Sequence, residues 1–262
     1  RFDGGNANTD DFLKVFSEAA GRDVGALMRP WLFAAGHPTV HAKWSWAAGE
    51  LKITLERDGN YVVPVPFALV KDGRDVASGT FVLDGARQEF TAKCPKPDFV
   101  SWNRGCGFYG VLAFEASEAE LALQVRTDPD AFNRAEAMKA LRDRGFTETW
   151  LALYREVFAD AALDLGAKEA LLAIPADSLD RRRRARVREN VREMQALRKA
   201  AARAIGTPSL VAALAGAATA GLDAAAIVRR AWENRVLEVL AAADEPETWA
   251  AVRGYLDRAA NV

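Results

Sequence analysis

Histidine and cysteine are almost missing from this sequence: His37, His41, Cys94 and Cys106 are all that 262 residues contain. Two cysteines are too few for a disulfide framework, and a reduced pair in a cytoplasmic protein is the expected state, with one bridge as the alternative. Neither lies in a Cys-x-x-Cys pair, so zinc-ribbon and thioredoxin-like chemistry have no support. The histidines stand at the spacing of a zincin motif, but the stretch reads His-Pro-Thr-Val-His. It lacks the general-base glutamate, contains a proline and enters a strand, where residues four apart sit roughly 13 Å from each other. Cys106, in Asn-Arg-Gly-Cys-Gly, has no local base to activate it and reads as a half-buried loop cysteine.

Long apolar runs are missing too. None approaches the roughly 18 residues of a membrane span, and the Arg1-Phe-Asp-Gly4 start has no basic-then-apolar leader. Neither sign of charge prevails: 35 Lys and Arg against 36 Asp and Glu leave a net charge of −1, which argues against nucleic acid or an anionic membrane as partner. The basic run at residues 181–184, continued by Arg186, Arg188 and Arg192, has no interleaved aromatics for base stacking and is diluted by Glu189 and Glu193. It reads as a solvated or acid-docked helix face. No glycine-rich phosphate loop and no Ser-His-Asp set can be assembled, and the seven tryptophans fall mostly on apolar stripes of their own elements.

What is present is a change of period. Phe12, Val15, Phe16, Ala19 and Ala20 make an amphipathic helix between Asp10 and Gly21, and a second helical segment runs from Asp23 to Ala35, disturbed by Pro30, with Gly36 as its cap. Two helices alone cannot bury Phe12, Phe16, Leu27 and Trp31, so residues 1–36 are expected to be the tail of an upstream domain. With no initiator methionine, the chain is expected to be a piece of a longer polypeptide.

From Thr39 apolar residues alternate singly: Val40, Ala42, Trp44, Trp46, then Leu51, Ile53, Leu55. Asp58-Gly59, Asp72-Gly73 and Asp84-Gly85 mark turns, and Pro64 and Pro66 assign the first half of the 61–70 strand to a sheet edge. Short strands at this spacing predict a β-sandwich or small barrel over residues 37–126, closing with a strand at 121–125. At 128–141 (DPDAFNRAEAMKAL) the period becomes helical through Phe132, Ala135, Met138 and Leu141, after an Asp-Pro-Asp helix start. Phe132 is expected to fill the seam at this joint, and Arg134 to reach back to carbonyls or a carboxylate on the sandwich. Beyond it, helices follow one another. One carries Trp150, Tyr154, Val157, Phe158 and Ala161; one is capped by Ser178 or Asp180; one runs from Thr207-Pro208 to Gly221. Asp223 opens another with Val228, Trp232, Val236 and Leu240, and a last one follows Asp244-Glu-Pro-Glu247, ahead of Trp249, Val252 and Leu256. Residues 127–262 therefore predict stacked helical hairpins in an irregular superhelix.

In order along the chain, these landmarks resemble a known family. Arg1-Phe-Asp-Gly4, Thr9-Asp-Asp-Phe12, Trp31 and Ala35-Gly-His-Pro-Thr-Val40 are similar to the end of the catalytic domain in zinc aminopeptidases of the bacterial alanyl aminopeptidase (aminopeptidase N) type. Val65-Pro-Phe-Ala-Leu69 resembles the central strand of that family's sandwich domain, and Ser101-Trp-Asn-Arg104 with Gly110-Val111 its Ser-x-x-Arg…Ala-Pro-Val segment. Asp130-Ala-Phe-Asn-Arg134-Ala-Glu-Ala137 is similar to the Asn-x-Phe-x-Arg-Trp-x-Ala junction; residues 227–240 and Arg258-Ala-Ala-Asn261 resemble parts of the helical domain. Gly110 stands where the family usually has proline, and Ala135 where it has tryptophan.

The resemblance implies a multidomain α+β chain: a short helical segment (1–36), an Ig-like β-sandwich (37–126) and a partial α-helical superhelix (127–262). The family's His-Glu-x-x-His motif, its distant glutamate ligand, its amine-binding Gly-x-Met-Glu-Asn and its transition-state tyrosine are all absent here. The expectation is a non-catalytic portion of the enzyme that covers the active site, with no cofactor of its own. Zinc belongs to the parent protein, and the partners are the catalytic domain of the same polypeptide and a peptide substrate. Neither catalytic nor metal residues are assigned; Phe132 and Arg134 are assigned to the interdomain joint. The alternative is a free-standing scaffold that binds a peptide or protein.

Overall fold

The computed structural model describes residues 4–175, 187–214 and 221–258. The chain divides into two compact units, Arg1–Glu120 with Thr127–Asn133 and Leu121–Arg126 with Arg134–Val262. Together they form a mixed α+β structure with two sheets and, among the described residues, ten α-helices.

The first unit opens with α1 (Thr9–Ala20), one turn-residue earlier than Asp10 would suggest. Asn8 caps it: its Oδ1 accepts from the Asp11 N–H at 2.9 Å, and the Asp11 carboxylate takes the Asn8 N–H at 3.1 Å, so two otherwise orphaned donors are satisfied. Gly21 ends it in a left-handed conformation. The helix buries Leu13, while Phe12, Val15 and Phe16 remain exposed. Helix α2 (Gly25–Phe33) stops before Ala35, three residues after Pro30.

Seven strands follow: β1 (Thr39–Ala47), β2 (Glu50–Arg57), β3 (Val63–Lys71), β4 (Arg74–Leu83), β5 (Arg87–Lys93), β6 (Phe99–Trp102) and β7 (Val111–Phe114). They form a sheet of order β5-β2-β1-β7 and another of order β4-β3-β6, antiparallel except for the β1–β7 pair. The period-two pattern works as read. Val40, Ala42, Ile53 and Leu55 from one sheet and Val63, Val65, Leu69, Leu83 and Val100 from the other share one apolar core. Pro64 and Pro66 pair with β4, whereas β6 begins pairing only at Phe67, so the missing N–H groups fall where β3 has one neighbour.

The strand expected at 121–125 is a helix, α3 (Glu118–Thr127). Leu121, Ala122, Gln124 and Val125 are buried, with Leu121 and Val125 one helical turn apart, and Ser117 Oγ accepts the Glu120 N–H at 3.2 Å as an N-cap would. Alternation of Leu121, Leu123 and Val125 mimicked a strand because a five-residue window fits both periods.

The second unit continues with α4 (Ala131–Asp143), α5 (Thr147–Ala159), α6 (Leu165–Leu171), α7 (Val187–Ile205), α8 (Thr207–Ala213), α9 (Ala224–Ala243) and α10 (Pro246–Arg258). Asp130 caps α4 by accepting the Asn133 N–H at 3.0 Å, so Pro129 precedes the cap instead of lying in the first turn. The buried face of α4 is Asn133, Ala137, Met138 and Leu141: Met138 and Leu141 of the expected stripe are buried, whereas Asn133 and Ala137 take the inward places expected of Phe132 and Ala135. Helix α6, capped by Asp164 accepting the Ala167 N–H, was not anticipated, and α8 ends at Ala213, before Gly221. The hub is α9, which packs against α6, α7, α8 and α10 through a face that includes Trp232, Val236, Val239 and Leu240. Ser178, Asp180, residues 181–184 and Arg186 lie outside the described residues.

Candidate functional site

The densest set of polar side chains in the first unit gathers around Arg104, on the short 3-10 turn Arg104–Cys106 that follows β6. Its Nε donates to Ser101 Oγ at 2.6 Å, its Nη1 and Nη2 donate to Asp75 Oδ2 and Oδ1 at 3.2 and 2.6 Å, and Nη2 lies 3.3 Å from Asp128 Oδ1. Ser101 is fully buried and also accepts from Asn133 Nδ2 at 2.7 Å. Asp128 Oδ1 takes the Asp130 N–H, and Asp130 Oδ2 takes the Gly105 N–H at 2.9 Å. A forked guanidinium thereby ties the start of β4, the end of β6 and the 127–133 segment together.

This brings together the two segments that sequence reading kept apart, Ser101-Trp-Asn-Arg104 and Asp130-Ala-Phe-Asn-Arg134. The signal for Arg104 and Asn133 in the sequence is their place in the two segments that carry the resemblance; Asp75 has none. Chemically the arrangement is that of a structural tie. Two donors occupy the acceptor positions of Ser101 Oγ, no imidazole approaches it, and the carboxylates face a guanidinium or backbone N–H groups.

The other candidates are dispersed. His41 Nε2 sits 3.6 Å from Asp58 on the β1 side of the sheet, whereas His37 packs edge-on against Tyr109 in the preceding loop. Cys94 and Cys106 are both free thiols, the second exposed. Among the described residues no three His, Cys, Asp or Glu side chains converge as a metal site would need, so the donor set does not fit a zinc ion. Of the expected joint residues, Arg134 Nε donates to the Val125 carbonyl at 2.6 Å, near the end of α3, and Phe132 is 38% exposed.

In the helical unit, buried polar groups serve packing. Lys168 Nζ donates to the Phe158 carbonyl at 2.9 Å and lies over the Trp232 ring. Tyr154 donates to the Leu172 carbonyl, and burial pushes its phenol well above the ordinary range. Glu233 on α9 is fully buried between Arg229 Nε at 3.1 Å and the Tyr255 hydroxyl at 2.8 Å. Burial first, then the hydrogen bond to Glu233 and its charge, push the Tyr255 hydroxyl up to about 12.

One face is apolar and open. Phe12 and Phe16 stack at 5.6 Å on α1, and Phe33 at the end of α2 is 62% exposed. Trp31 differs from its expected role, because it packs on Tyr61 at 4.8 Å and touches the strand core. Among the described residues no helix is long and apolar enough to cross a membrane.

Comparison with known proteins puts this geometry in context. A family model described as a domain of unknown function (DUF3458_C) with ARM repeats matches residues 118–262. A puromycin-sensitive aminopeptidase from Caenorhabditis elegans is 30% identical over 125 residues, 42% of this chain and 13% of that protein. The crystal structure of Legionella pneumophila aminopeptidase A in complex with aspartic acid superposes with a TM-score of 0.77 at 17% identity, covering 98% of this chain and 34% of that one. The chain thus corresponds to a minor part of each of these longer proteins.

Proposed function

The chain belongs to the family of the DUF3458_C ARM-repeat domain, and on that premise we propose that it is a non-catalytic, C-terminal portion of a zinc-dependent aminopeptidase, an enzyme that removes N-terminal amino acids from peptides. The observation that carries this reading is that nearly the whole chain takes the fold of about one third of an aminopeptidase. The sequence similarity to a second aminopeptidase supports it. In this reading the two sheets form an Ig-like β-sandwich, the helices are part of a superhelix, and both cover an active site that lies on the catalytic domain of the same polypeptide. Phe132 and Arg134 mark the joint between the two portions.

The zinc, of the alanyl aminopeptidase type, belongs to the parent protein, where it would polarise the scissile carbonyl. This chain contributes no ligand to it. Its share is surface: the exposed Phe12, Phe16 and Phe33 are suited to receive the catalytic domain, and peptides are the substrate of the whole. The cytoplasm is the expected compartment.

The test compares two proteins. The isolated chain should retain no stoichiometric zinc by elemental analysis and release no chromophore from aminoacyl p-nitroanilides. The polypeptide expressed from the full reading frame around it should do both. A chain that alone holds one zinc, lost on His37→Ala or His41→Ala, overturns the proposal; so does a full-length product without aminopeptidase activity.

A further inference from the structure

Helix α7 distributes its charges differently from its neighbours. Helices α4 and α9 place opposite charges three or four positions apart, as in Glu136–Lys139, Arg229–Glu233 and Arg235–Glu238. In α7 every charged pair at four-residue spacing is of like sign: Arg188 with Arg192, Glu189 with Glu193, Lys199 with Arg203. Such pairs weaken a helix, so a merely solvated face gains nothing from them. At 3.6 residues per turn, Arg188, Arg192, Lys199 and Arg203 fall within about 60° of one another, and Gln195 is the only other residue of α7 in that sector. Buried Met194 and Ala201 lie on the far side. The three arginines are exposed and Lys199 is half-buried. Among the described residues none of the four has an ion-pair or hydrogen-bond partner, whereas Arg198, outside the stripe, donates to the Ile174 carbonyl.

We propose that this stripe is a docking track for an acidic, extended peptide segment, which supplies the carboxylates that α7 does not place there. The dimensions agree. From Arg188 to Arg203 the helix rises about 22 Å, and four acidic side chains at alternate positions of an extended chain span about 20 Å. The remaining mismatch, at most about 3 Å at any one position, is within reach of long arginine and lysine side chains. Other anionic partners fit less well. Nucleic acid would want aromatic side chains beside the cations, and the sector has none, while Glu189 and Glu193 run along its flank and repel a continuous phosphate backbone. An anionic membrane would want apolar side chains to insert, and a helical partner would want them to pack against; the stripe offers Gln195. This inference does not rest on the aminopeptidase reading, since nothing in it requires the peptide to be cleaved.

Fluorescence anisotropy of a labelled, eight-residue alternating Glu-Ser peptide against the purified chain tests this. The Kd should lie in the hundreds of micromolar at about 20 mM salt and rise about tenfold by about 200 mM. Arg188→Glu and Lys199→Glu each put a glutamate four residues before an arginine, the favourable order in a helix. Hydrogen exchange should therefore show α7 equally or better protected in both variants, while peptide binding weakens about three- to tenfold. Lys14→Glu and Lys93→Glu, at exposed cations of the strand unit, should leave binding unchanged. No binding at about 1 mM chain overturns the proposal, as does equal weakening by the stripe and control variants. A peptide of the same composition with its glutamates in one block, bound as tightly as the alternating one, overturns the extended geometry. A thymidine octanucleotide or a phosphatidylserine vesicle bound more tightly than the peptide, and lost on Lys199→Glu, overturns the choice of partner.

Discussion

Removing the Arg104 side chain tests the polar cluster most directly. Arg104→Ala deletes the donor to Ser101 Oγ, both donors to Asp75 and the charge beside Asp128. The consequences differ by burial. The Asp75 side chain is 39% exposed, so water takes over much of its solvation and its loss costs about 1 kcal/mol or less. The Asp128 side chain is wholly buried; it loses the guanidinium beside it and keeps the Asp130 N–H among its partners. Leaving a buried carboxylate with no cation typically costs ~3–5 kcal/mol; Asp128 keeps other partners and Arg104 is 18% exposed, so the expected cost lies below that range, about 2 kcal/mol.

Asn133→Ala supplies the comparison. It leaves Ser101 one donor instead of two and should cost about 1–2 kcal/mol. Because both residues meet on one oxygen, the double variant should depart from additivity by on the order of 1 kcal/mol. The chain has two compact units, so a global transition would mix them. Hydrogen exchange of β3 and β6 peptides across a urea series isolates the relevant one. If Arg104→Ala changes their stability by less than about 0.5 kcal/mol, the cluster is a surface arrangement and the reasoning from Asp128 burial is refuted.

A methyl group at Gly107 would meet Pro66 Cγ at 2.3 Å, and a proline ring cannot swing away. Gly107→Ala should therefore destabilise the strand unit by about 1–3 kcal/mol in urea unfolding, although its backbone angles suit alanine. Tyr255 has a raised folded pKa, so its contribution is complete below pH 10 and is lost as pH climbs toward 12. Tyr255→Phe should flatten the alkaline fall of α9–α10 stability over that window, and a parallel fall in both proteins would contradict the link to Glu233. Arg134→Ala, which loses a charged donor to the Val125 carbonyl, should lower stability by about 1.5 kcal/mol or more. Phe132→Ala at a 38% exposed position should cost distinctly less, and equal melting shifts would reverse that order.

Much of the strand unit was legible because its signals are redundant. Aspartate-glycine turns, alternating apolar residues and the prolines of β3 all point to the same register. Helix starts marked by a carboxylate, as at Asp223 and Asp130, were also readable. The errors arose where one signal stood alone. Over 121–125 alternation outweighed Ser117 and Glu120, the capping pair three residues apart that announces α3. On α4 the spacing gave a helix but not its rotation, since Asn133 is turned inward by a hydrogen bond to Ser101, a residue 32 positions away. Gly110 shows the same limit in another form: a Cβ there would meet the Pro38 carbonyl at 2.6 Å, a tertiary contact invisible in sequence.

Side chains of types that carry catalysis elsewhere are present among the described residues, and each is held by its neighbours. Ser101 would need a free lone pair and a base; both of its acceptor positions are filled, by Arg104 and Asn133. Glu233 would need access to water or substrate; it is sealed between Arg229 and Tyr255. Lys168 donates to the Phe158 carbonyl and lies over the Trp232 ring. Each of these groups is held by a neighbour in one orientation. Fixation of this kind rigidifies a unit while giving up turnover. Among the described residues, Ser101, Glu233 and Lys168 thus tie elements of their own unit together.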